Sequence, residues 1–386
     1  MSNQPSKNSN NLEKYTKEDR IWVDGCYDVC HFGHANSLRQ AKLMGKYLVV
    51  GVHSNAEIEK HKGPPVFTDE ERYEMVRSIK WVDEVVEDAP YVTDLKIMDK
   101  YNCQYCAHGD DLTMDANGVD TYQEVKDQGR YKEFKRTQGV STTNIVGRMI
   151  LACQERKDSS ANNESNEDKK LQSDFAEGQS KEKTVSPFTG VSKFLQTTQR
   201  ITQFQAGARE ATADDVVVYV SGAFDVFHNG HLGFLKAALD QTNGTYLVVG
   251  LHSDEEVQRY RGNPIFTLNE RTLSILACKY VNEVVIGAPY KIDSEIINHF
   301  KINYVCHGQE SEVVPCVDGS DPYEVAKEKG IYRQVNSKSE VTASVIIDRI
   351  VRNKLKFEER NRKKQEKENR AFAAWERSRK EKSSAK

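Results

Sequence analysis

The chain has 386 residues, more than one compact core normally holds, and only 38% of them are hydrophobic, which is low for a chain that is folded throughout. We therefore expect two domains of ordinary size together with polar segments outside any core. The 55 Lys and Arg residues nearly balance the 58 Asp and Glu residues, and the resulting net charge of −3 excludes a protein whose whole surface is built to bind nucleic acid.

Residues 1–19 form a polar N-terminal segment without the apolar stretch of a signal peptide. No apolar run in the chain approaches the roughly 18 residues that would cross a bilayer, so we expect a cytoplasmic protein without a transmembrane segment. The eight cysteines are spread along the chain, which is typical of free thiols in a reducing compartment.

Residues 20–151 alternate between strand and helix patterns, which predicts the first domain. Predicted strands end near residue 23 and then cover 47–52, 84–86, 103–107 and 131–134. Predicted helices cover 32–44, 68–79, 94–100, 120–128 and 142–151. Apolar strands that alternate with helices indicate an α/β fold with a parallel sheet covered on both faces, and ligands bind such sheets at the carboxyl ends of the strands.

His31 and His34, with Gly33 between them, lie where the first predicted strand turns into a helix. A glycine allows close approach to the backbone, and two imidazoles at the positive end of a helix favour an anion. The alternative is that the histidines only cap the helix and pack. A Lys62-Gly-Pro-Pro loop in the same domain could bring a mobile cation to this site.

A second polar segment, from Arg136 to Thr143, precedes the last helix of the domain. Arg136 and Thr137, followed by Ser141 and Thr142, supply a guanidinium, hydroxyls and helix N-terminal amides, which together suit a polyphosphate. An ordinary Ser/Thr helix cap is the competing interpretation, and the two are compatible.

Residues 152–213 have the composition of a polar linker, although the apolar residues between 194 and 204 are spaced as in a helix that packs on a domain. Residues 353–386 form a basic tail of helix-forming residues, with 13 Lys and Arg against 6 Asp and Glu. A solvated helix is the simplest interpretation of this tail, and weak contact with an anionic membrane surface is the alternative.

Residues 214–352 repeat the first domain: the segment from Val23 to His34 recurs from Val220 to His231. The histidine motif is retained as His228 and His231. Other positions change, and these replacements are Asp24 to Ser221, Lys62 to Arg261, Arg136 to Ser337 and Thr142 to Ala343. We therefore predict that the first domain carries most turnover, and that the two domains form an intramolecular pseudo-dimer, with a homo-oligomer left open.

The Gly-x-Tyr-Asp-x-x-His-x-Gly-His segment that starts at Gly25, together with the segment from Arg136 to Thr143, resembles the signatures of the cytidylyltransferase family. These enzymes join CTP to a phosphate monoester and release pyrophosphate. The resemblance implies two tandem Rossmann-like parallel-sheet nucleotidyltransferase domains, with His31, His34 and Lys62 as catalytic residues. It also implies a set of CTP-binding residues: Gly25, Tyr27, Asp28, Gly33, Asp110, Arg136, Thr137, Ser141 and Thr142. Mg²⁺ is expected on the phosphates, although no dedicated metal site is visible in the sequence.

Tandem domains with a polar linker resemble the branch of the family that acts on phosphoethanolamine in phosphatidylethanolamine synthesis. CTP and phosphoethanolamine are then the expected partners, and Asp24, Tyr91 and Tyr122 fall where the amine would be held, since an ammonium favours a carboxylate and aromatic faces. Choline-phosphate or glycerol-phosphate cytidylyltransferase is the nearest alternative. A different His-x-Gly-His enzyme and a silent nucleotide sensor are more distant ones.

Overall fold

The computed structural model describes residues 14–111, 120–137, 139–160, 197–309, 311–353, 355–359, 362 and 366. Much of the predicted N-terminal segment, linker and basic tail therefore lies outside the described residues. Among the helices that are described, none combines the length and the apolar character needed to cross a membrane.

The first domain is built on a parallel sheet of five strands in the order β3-β2-β1-β4-β5. The strands are β1 (Arg20–Gly25), β2 (Tyr47–Val52), β3 (Glu84–Glu87), β4 (Tyr105–Gly109) and β5 (Tyr131–Phe134). The helices are α1 (Phe32–Lys42), α2 (Asn55–Lys62), α3 (Asp69–Arg77), α4 (Leu95–Lys100), α5 (Gln123–Asp127) and α6 (Thr142–Ser160). Every residue of β2 is buried, as expected for a strand covered on both faces, and the predicted α/β fold is confirmed.

The second domain repeats this topology, with strand order β10-β9-β6-β7-β8 and all neighbours parallel. Its strands are β6 (Val217–Gly222), β7 (Tyr246–Leu251), β8 (Glu283–Ile286), β9 (Tyr304–Gly308) and β10 (Tyr332–Val335). Helix α7 (Thr197–Gln205) precedes it, and α8 (Asn229–Thr242), α9 (Asp254–Arg261), α10 (Leu268–Leu276), α11 (Ser294–His299), α12 (Glu324–Glu328) and α13 (Ala343–Arg352) belong to it.

The two domains pack through reciprocal contacts. The Lys80 amide donates to the Ala277 carbonyl at 2.9 Å, and the Lys279 amide donates to the Ser78 carbonyl at 2.8 Å. Such exchange of equivalent bonds is the pattern of a two-fold symmetric dimer, here made within one chain.

Helix α7 packs between the two domains, because it contacts α10 of the second domain as well as residues of the first. Phe204 is fully buried, with its ring 5.1 Å from that of Trp81 in an edge-to-face arrangement, and Arg200 donates to the Asn36 amide oxygen at 3.1 Å. The apolar spacing near residue 204 therefore predicted this helix correctly, while residues 194–196 lie outside the described part.

Candidate active site

The turn between β1 and α1 carries the histidine motif. Tyr27 and Val29 have φ values of 51° and 46°, in the left-handed region that costs non-glycine residues about 1 kcal/mol or more. The turn ends at His31, which is the N-cap of α1. This strained turn places the motif at the carboxyl edge of the sheet.

The His31 and His34 rings are stacked, with centroids 4.0 Å apart and planes inclined by 27°. The Nδ1 atom of His31 accepts a hydrogen bond from the Gly33 amide at 3.1 Å, and the Nδ1 atom of His34 accepts one from the His31 amide at 3.4 Å. A neutral imidazole that accepts at Nδ1 carries its proton on Nε2. Both rings can therefore donate through Nε2 beside the positive end of α1.

Packing within the protein opposes a side chain at Gly33 and crowds one at Gly25. A Cβ atom at Gly33 would lie 2.7 Å from a Val140 methyl carbon and 2.8 Å from the His31 ring, and one at Gly25 would lie 3.2 Å from the Tyr27 ring. Tyr27 in turn lies edge-on to His34 at 5.6 Å. A side chain at Gly33 would therefore collide with the protein itself, and the approach of a ligand to the Gly33 backbone stays a prediction.

Lys62 is the last residue of α2, whereas the sequence placed it on the following loop. Gly63, with φ of 90°, starts the connection to α3, and we call residues 62–68 the flap. The exposed Lys62 ammonium lies 3.6 Å from the Cys26 sulfur and 5.4 Å from the centroid of the Tyr91 ring. Electrostatic interaction with Cys26, and then with Tyr91, raises the pKa of Lys62, so the residue is a cation at neutral pH.

Asp28 anchors the other end of the flap. Its buried carboxylate accepts hydrogen bonds from the Val66 and Phe67 amides, each at 3.0 Å. Asp28 was predicted to bind CTP. In the structure its carboxylate also positions the flap that begins at Lys62.

Arg72 is a site residue that the sequence analysis missed. Its fully buried guanidinium donates to the Cys26 carbonyl at 2.9 Å and to the His53 carbonyl at 2.6 Å, which ties α3 to the ends of β1 and β2. Arg271 makes the equivalent bonds in the second domain, so the recurrence of an arginine at this place in both repeats was the available signal.

The predicted triphosphate residues converge on the histidine turn. The Ser141 hydroxyl caps α6 by accepting from the Asn144 amide at 3.2 Å, and the Thr142 hydroxyl donates to the Asp28 carbonyl at 3.0 Å. The N-terminus of α6 is thereby attached to the turn that precedes His31.

The start of this segment is held by α1 and β4. The Thr137 hydroxyl accepts from the Asn36 side chain at 2.8 Å, and Asp110 accepts from the Arg136 amide at 2.9 Å. The Arg136 guanidinium lies 3.2 Å from Asp111. Burial of Asp111 would raise its pKa, but nearby positive charges, that of Arg136 foremost, outweigh this effect and the pKa of Asp111 is lowered. Gln138 lies outside the described residues.

The three predicted amine-binding residues form two neighbouring groups. The buried Asp24 carboxylate accepts from the Trp22 indole at 2.8 Å, from the Tyr122 hydroxyl at 2.6 Å and from the Thr93 hydroxyl. These three donors fix the orientation of the carboxylate. The sequence analysis did not identify two of them, Trp22 and Thr93.

Tyr91 forms the second group, between Lys62 and the strand ends. Its ring stacks on His61 at 4.1 Å and lies 5.2 Å from His53. Burial lowers the pKa of His53, and the charge of Asp24 opposes that shift, which links the two groups electrostatically.

The second domain retains the doublet in an altered setting. The His228 and His231 rings lie 3.9 Å apart, and the His228 Nδ1 atom accepts from the Gly230 amide at 3.1 Å. The His231 Nδ1 atom is buried with no hydrogen-bond partner among the described residues. Burial also lowers the pKa of His228 to about 4.

The described residues contain no cluster of three or more His, Cys, Asp or Glu side chains that could hold a metal ion. The seven cysteines with described side chains are all free. Cys103 and Cys106, a pair that could suggest a metal site, are buried, and burial raises the pKa of Cys103 to about 12.

Comparison with known proteins matches both halves of the chain to one family. The family model described as "Cytidylyltransferase-like" matches residues 22–148 and 219–352. An ethanolamine-phosphate cytidylyltransferase of Mus musculus is 52% identical over 366 residues, covering 90% of each chain, and one of Dictyostelium discoideum is 44% identical over 354 residues, covering 91% of this chain and 96% of the relative. Choline-phosphate cytidylyltransferase 2 of Arabidopsis thaliana is 43% identical over 135 residues, which is 34% of this chain and 44% of the relative. Because the two matched segments coincide with the two parallel sheets, the chain belongs to the cytidylyltransferase-like family, and within it to the ethanolamine-phosphate cytidylyltransferases.

Proposed function

We propose that this chain transfers CMP from CTP to phosphoethanolamine, giving CDP-ethanolamine and pyrophosphate. The observation that carries the proposal is the extent of the match: relatives named for this activity align with about nine tenths of the chain, including both domains. A choline-phosphate relative of similar identity aligns with only about a third of it. We place the reaction in the cytoplasm, in the synthesis of phosphatidylethanolamine.

The reaction needs positioning and charge neutralisation more than it needs a base. A phosphate monoester loses its second proton with a pKa near ~6, so phosphoethanolamine is already a dianion at neutral pH. Its oxygen attacks the α-phosphorus of CTP, the bond to the β-phosphate oxygen breaks, and pyrophosphate leaves with the electron pair. Catalysis then depends on holding two anions in line and on stabilising the negative charge that develops.

The histidine doublet supplies donors for that charge. Hydrogen bonds from Gly33 and His31 amides keep the Nδ1 atoms as acceptors, so that His31 and His34 donate from Nε2 to oxygens of the transferring phosphate. Lys62 supplies a full positive charge from the flap, whose other end is held by Asp28 of the histidine turn.

The β- and γ-phosphates are assigned to the N-terminus of α6 and to Arg136. Ser141 caps this helix and Thr142 is its first residue, where amides and hydroxyls favour phosphate oxygens. Gly25, Tyr27 and Gly33 shape the histidine turn, while Asp110 and Thr137 hold the segment that begins at Arg136.

Mg²⁺ is assigned to the substrate. The carboxylates of Asp24 and Asp28 accept hydrogen bonds from Trp22 and Val66, and the described residues offer no cage for a resident ion. We propose that the ion arrives on the oxygens of CTP, since Mg²⁺ is commonly bound through substrate phosphates.

Asp24, Tyr91 and Tyr122 are assigned to the ammonium group of phosphoethanolamine. A buried carboxylate oriented by Tyr122, with a second aromatic face nearby, attracts a primary ammonium. The second domain has Ser221 in place of Asp24, which supports turnover in the first domain.

One experiment tests the proposal. Pyrophosphate release is measured with CTP and with ATP, each combined with phosphoethanolamine, phosphocholine or glycerol 3-phosphate. Release is expected with CTP and phosphoethanolamine at a kcat/KM at least tenfold above every other pair. Preference for phosphocholine or glycerol 3-phosphate, or no release with any pair, would contradict the proposal.

A further inference from the structure

An ion pair crosses from the second domain to the base of the flap in the first. The Arg349 guanidinium, in α13, donates to both carboxylate oxygens of Glu71 at 2.6 and 2.9 Å. The Glu71 side chain is only 11% exposed, and such bidentate, charge-assisted pairs are among the strongest hydrogen bonds in proteins.

Glu71 also closes the cap of α3, which is the point where the flap ends. Its Oε2 atom accepts from the Thr68 amide at 2.9 Å, while the Thr68 hydroxyl accepts from the Glu71 amide at 3.3 Å. The Oε2 atom that binds Thr68 is also one of the two atoms that bind Arg349. Arg349 and the flap therefore share one carboxylate.

A short series of bonds connects this carboxylate to Lys62. Thr68 directly follows Val66 and Phe67, whose amides are held by Asp28 in the histidine turn. Lys62 lies on the other side of Gly63, Pro64 and Pro65. Displacement of the cap would move the lysine relative to the doublet, and misplacement by about 1 Å can cost a hundredfold in rate.

An equivalent ion pair, which we call the mirror pair, joins the corresponding residues of the opposite domains. Arg148, in α6 of the first domain, donates to both oxygens of Glu270 at 2.8 Å, and Glu270 closes the cap of α10 with Thr267. The mirror pair holds the segment that carries Arg261, in the domain that lacks the counterparts of Asp24 and Arg136. The chain thus contains two equivalent ion pairs, of which the Arg349–Glu71 pair is the one that reaches the lysine flap.

We propose that Arg349 is a positioning residue for CMP transfer in the first domain: through Glu71 it fixes the cap on which the lysine flap ends. This inference rests on the proposed function. It gives the second domain a role that needs none of the lost substrate contacts, because the domain completes the first site from across the interface.

The test compares Glu71→Gln and Arg349→Gln with Glu270→Gln, all in the full chain. The first two variants remove the pair that reaches the flap, and the third makes the same chemical change in the mirror pair. Hydrogen exchange of peptides covering residues 63–68 reports flap order whether or not the enzyme turns over. Kinetics in CTP and phosphoethanolamine, normalised to the fraction of molecules that bind CTP, report its catalytic effect.

We expect Arg349→Gln and Glu71→Gln each to raise flap exchange by about tenfold or more and to lower kcat by about 10- to 100-fold. KM for CTP should change much less, and the double variant should be hardly worse than either single one. Glu270→Gln should leave exchange of residues 63–68 and kcat within about twofold of the unchanged protein; because its partner Arg148 lies on α6, whose N-terminus is assigned to CTP, any larger effect should appear in KM for CTP. Arg349→Lys, which keeps the charge but loses the bidentate contact, should recover part of the activity and provides a folded alternative if Arg349→Gln unfolds.

Unchanged flap exchange in Arg349→Gln or Arg349→Lys would overturn the inference, as would equal losses of kcat in Glu71→Gln and Glu270→Gln. If the unchanged protein released no pyrophosphate, the proposed function would fail, while the exchange measurement would still decide whether Arg349 orders the flap.

Discussion

Replacing Asp28 by Asn should loosen the flap while leaving the histidine doublet and Lys62 in place. The Asp28 carboxylate is 5% exposed and accepts from the Val66 and Phe67 amides at 3.0 Å. Both amides donate to Oδ1, and the Val66 amide also lies 3.1 Å from Oδ2. An asparagine keeps one acceptor oxygen for the two amides, but it loses the negative charge and turns its NH₂ group toward the Val66 amide, which also donates.

The magnitude follows from the lost charge. Hydrogen bonds to charged groups contribute about 1.5–3 kcal/mol each and those between neutral groups about 0.5–1.5 kcal/mol, so each of the two amide bonds should weaken by about 1–1.5 kcal/mol. We therefore expect the flap to lose about 2–3 kcal/mol of local stability. Since about 1.36 kcal/mol corresponds to a tenfold change in rate, kcat should fall by roughly 30- to 150-fold if the flap must be ordered in the transition state.

The control is the equivalent change in the second domain. Asp225 accepts from the Ile265 and Phe266 amides at 2.7 and 2.8 Å, so Asp225→Asn should cause a similar local loss of stability. Steady-state pyrophosphate release and hydrogen exchange of each flap should be measured for both variants. The reasoning is refuted if Asp28→Asn exchanges its flap amides faster yet keeps its kcat, or if Asp225→Asn loses as much activity.

Asp24→Ser introduces the residue found at the equivalent position of the second domain. It should raise KM for phosphoethanolamine by about tenfold or more, with little effect on KM for CTP, because it removes the carboxylate assigned to the ammonium. Equal changes in the two KM values would contradict the assignment. Lys62→Met should lower kcat by about a hundredfold or more, since the mobile charge is lost. Because the pKa of Lys62 is raised, the unchanged enzyme should keep its activity up to at least pH 9. A decline in the rate between pH 7 and 9 would count against this role of Lys62. Burial lowers the pKa of His228, His252 and His307 to about 4, below the ordinary value near 6.5. Between these two pH values the histidines are protonated in the unfolded chain but neutral in the folded domain. The free energy of unfolding should therefore fall as the pH drops from about 6.5 to 4, by about 3 kcal/mol for each histidine. Calorimetric unfolding of His252→Gln should show a shallower pH dependence in this range, and an unaltered slope would exclude that contribution.

Strand β2 was highly predictable because its sequence is almost continuously apolar, and the predicted range 47–52 agrees with β2 (Tyr47–Val52). The predicted range 131–134 also agrees with β5 (Tyr131–Phe134), although only its two end residues are apolar. Strand β4 begins at Tyr105, two residues after the predicted start. Asn102 adopts a φ of 53° and the Cys103 amide still bonds the Met98 carbonyl at 2.8 Å, so the chain is completing the end of α4 there.

Helix α2 was missed because its pattern is weak. Ile58 is the only buried residue of this eight-residue helix, so its sequence shows no repeat of apolar residues at helical spacing. Its presence moves Lys62 from a loop to a helix end, next to Cys26.

For the candidate site, residue types could be read from the motifs, but the partners of each side chain could not. The role of Asp28 in binding CTP stays a prediction, and the sequence did not indicate that its carboxylate binds backbone amides some 40 positions away in the chain. Arg349 and Glu71 are separated by 278 positions, and no local pattern indicates that they meet. Such contacts depend on how the two domains pack.

The central claim is that the first doublet, and not the second, donates hydrogen bonds to the transferring phosphate, and the kcat values of His31→Asn and His228→Asn test it most directly. Asparagine can still accept from the Gly33 or Gly230 amide as a helix cap, so each variant loses the Nε2 donor while keeping the local fold. The account predicts that kcat falls by about 10²- to 10³-fold for His31→Asn and by less than about fivefold for His228→Asn. A near-normal kcat for His31→Asn combined with an inactive His228→Asn would contradict it.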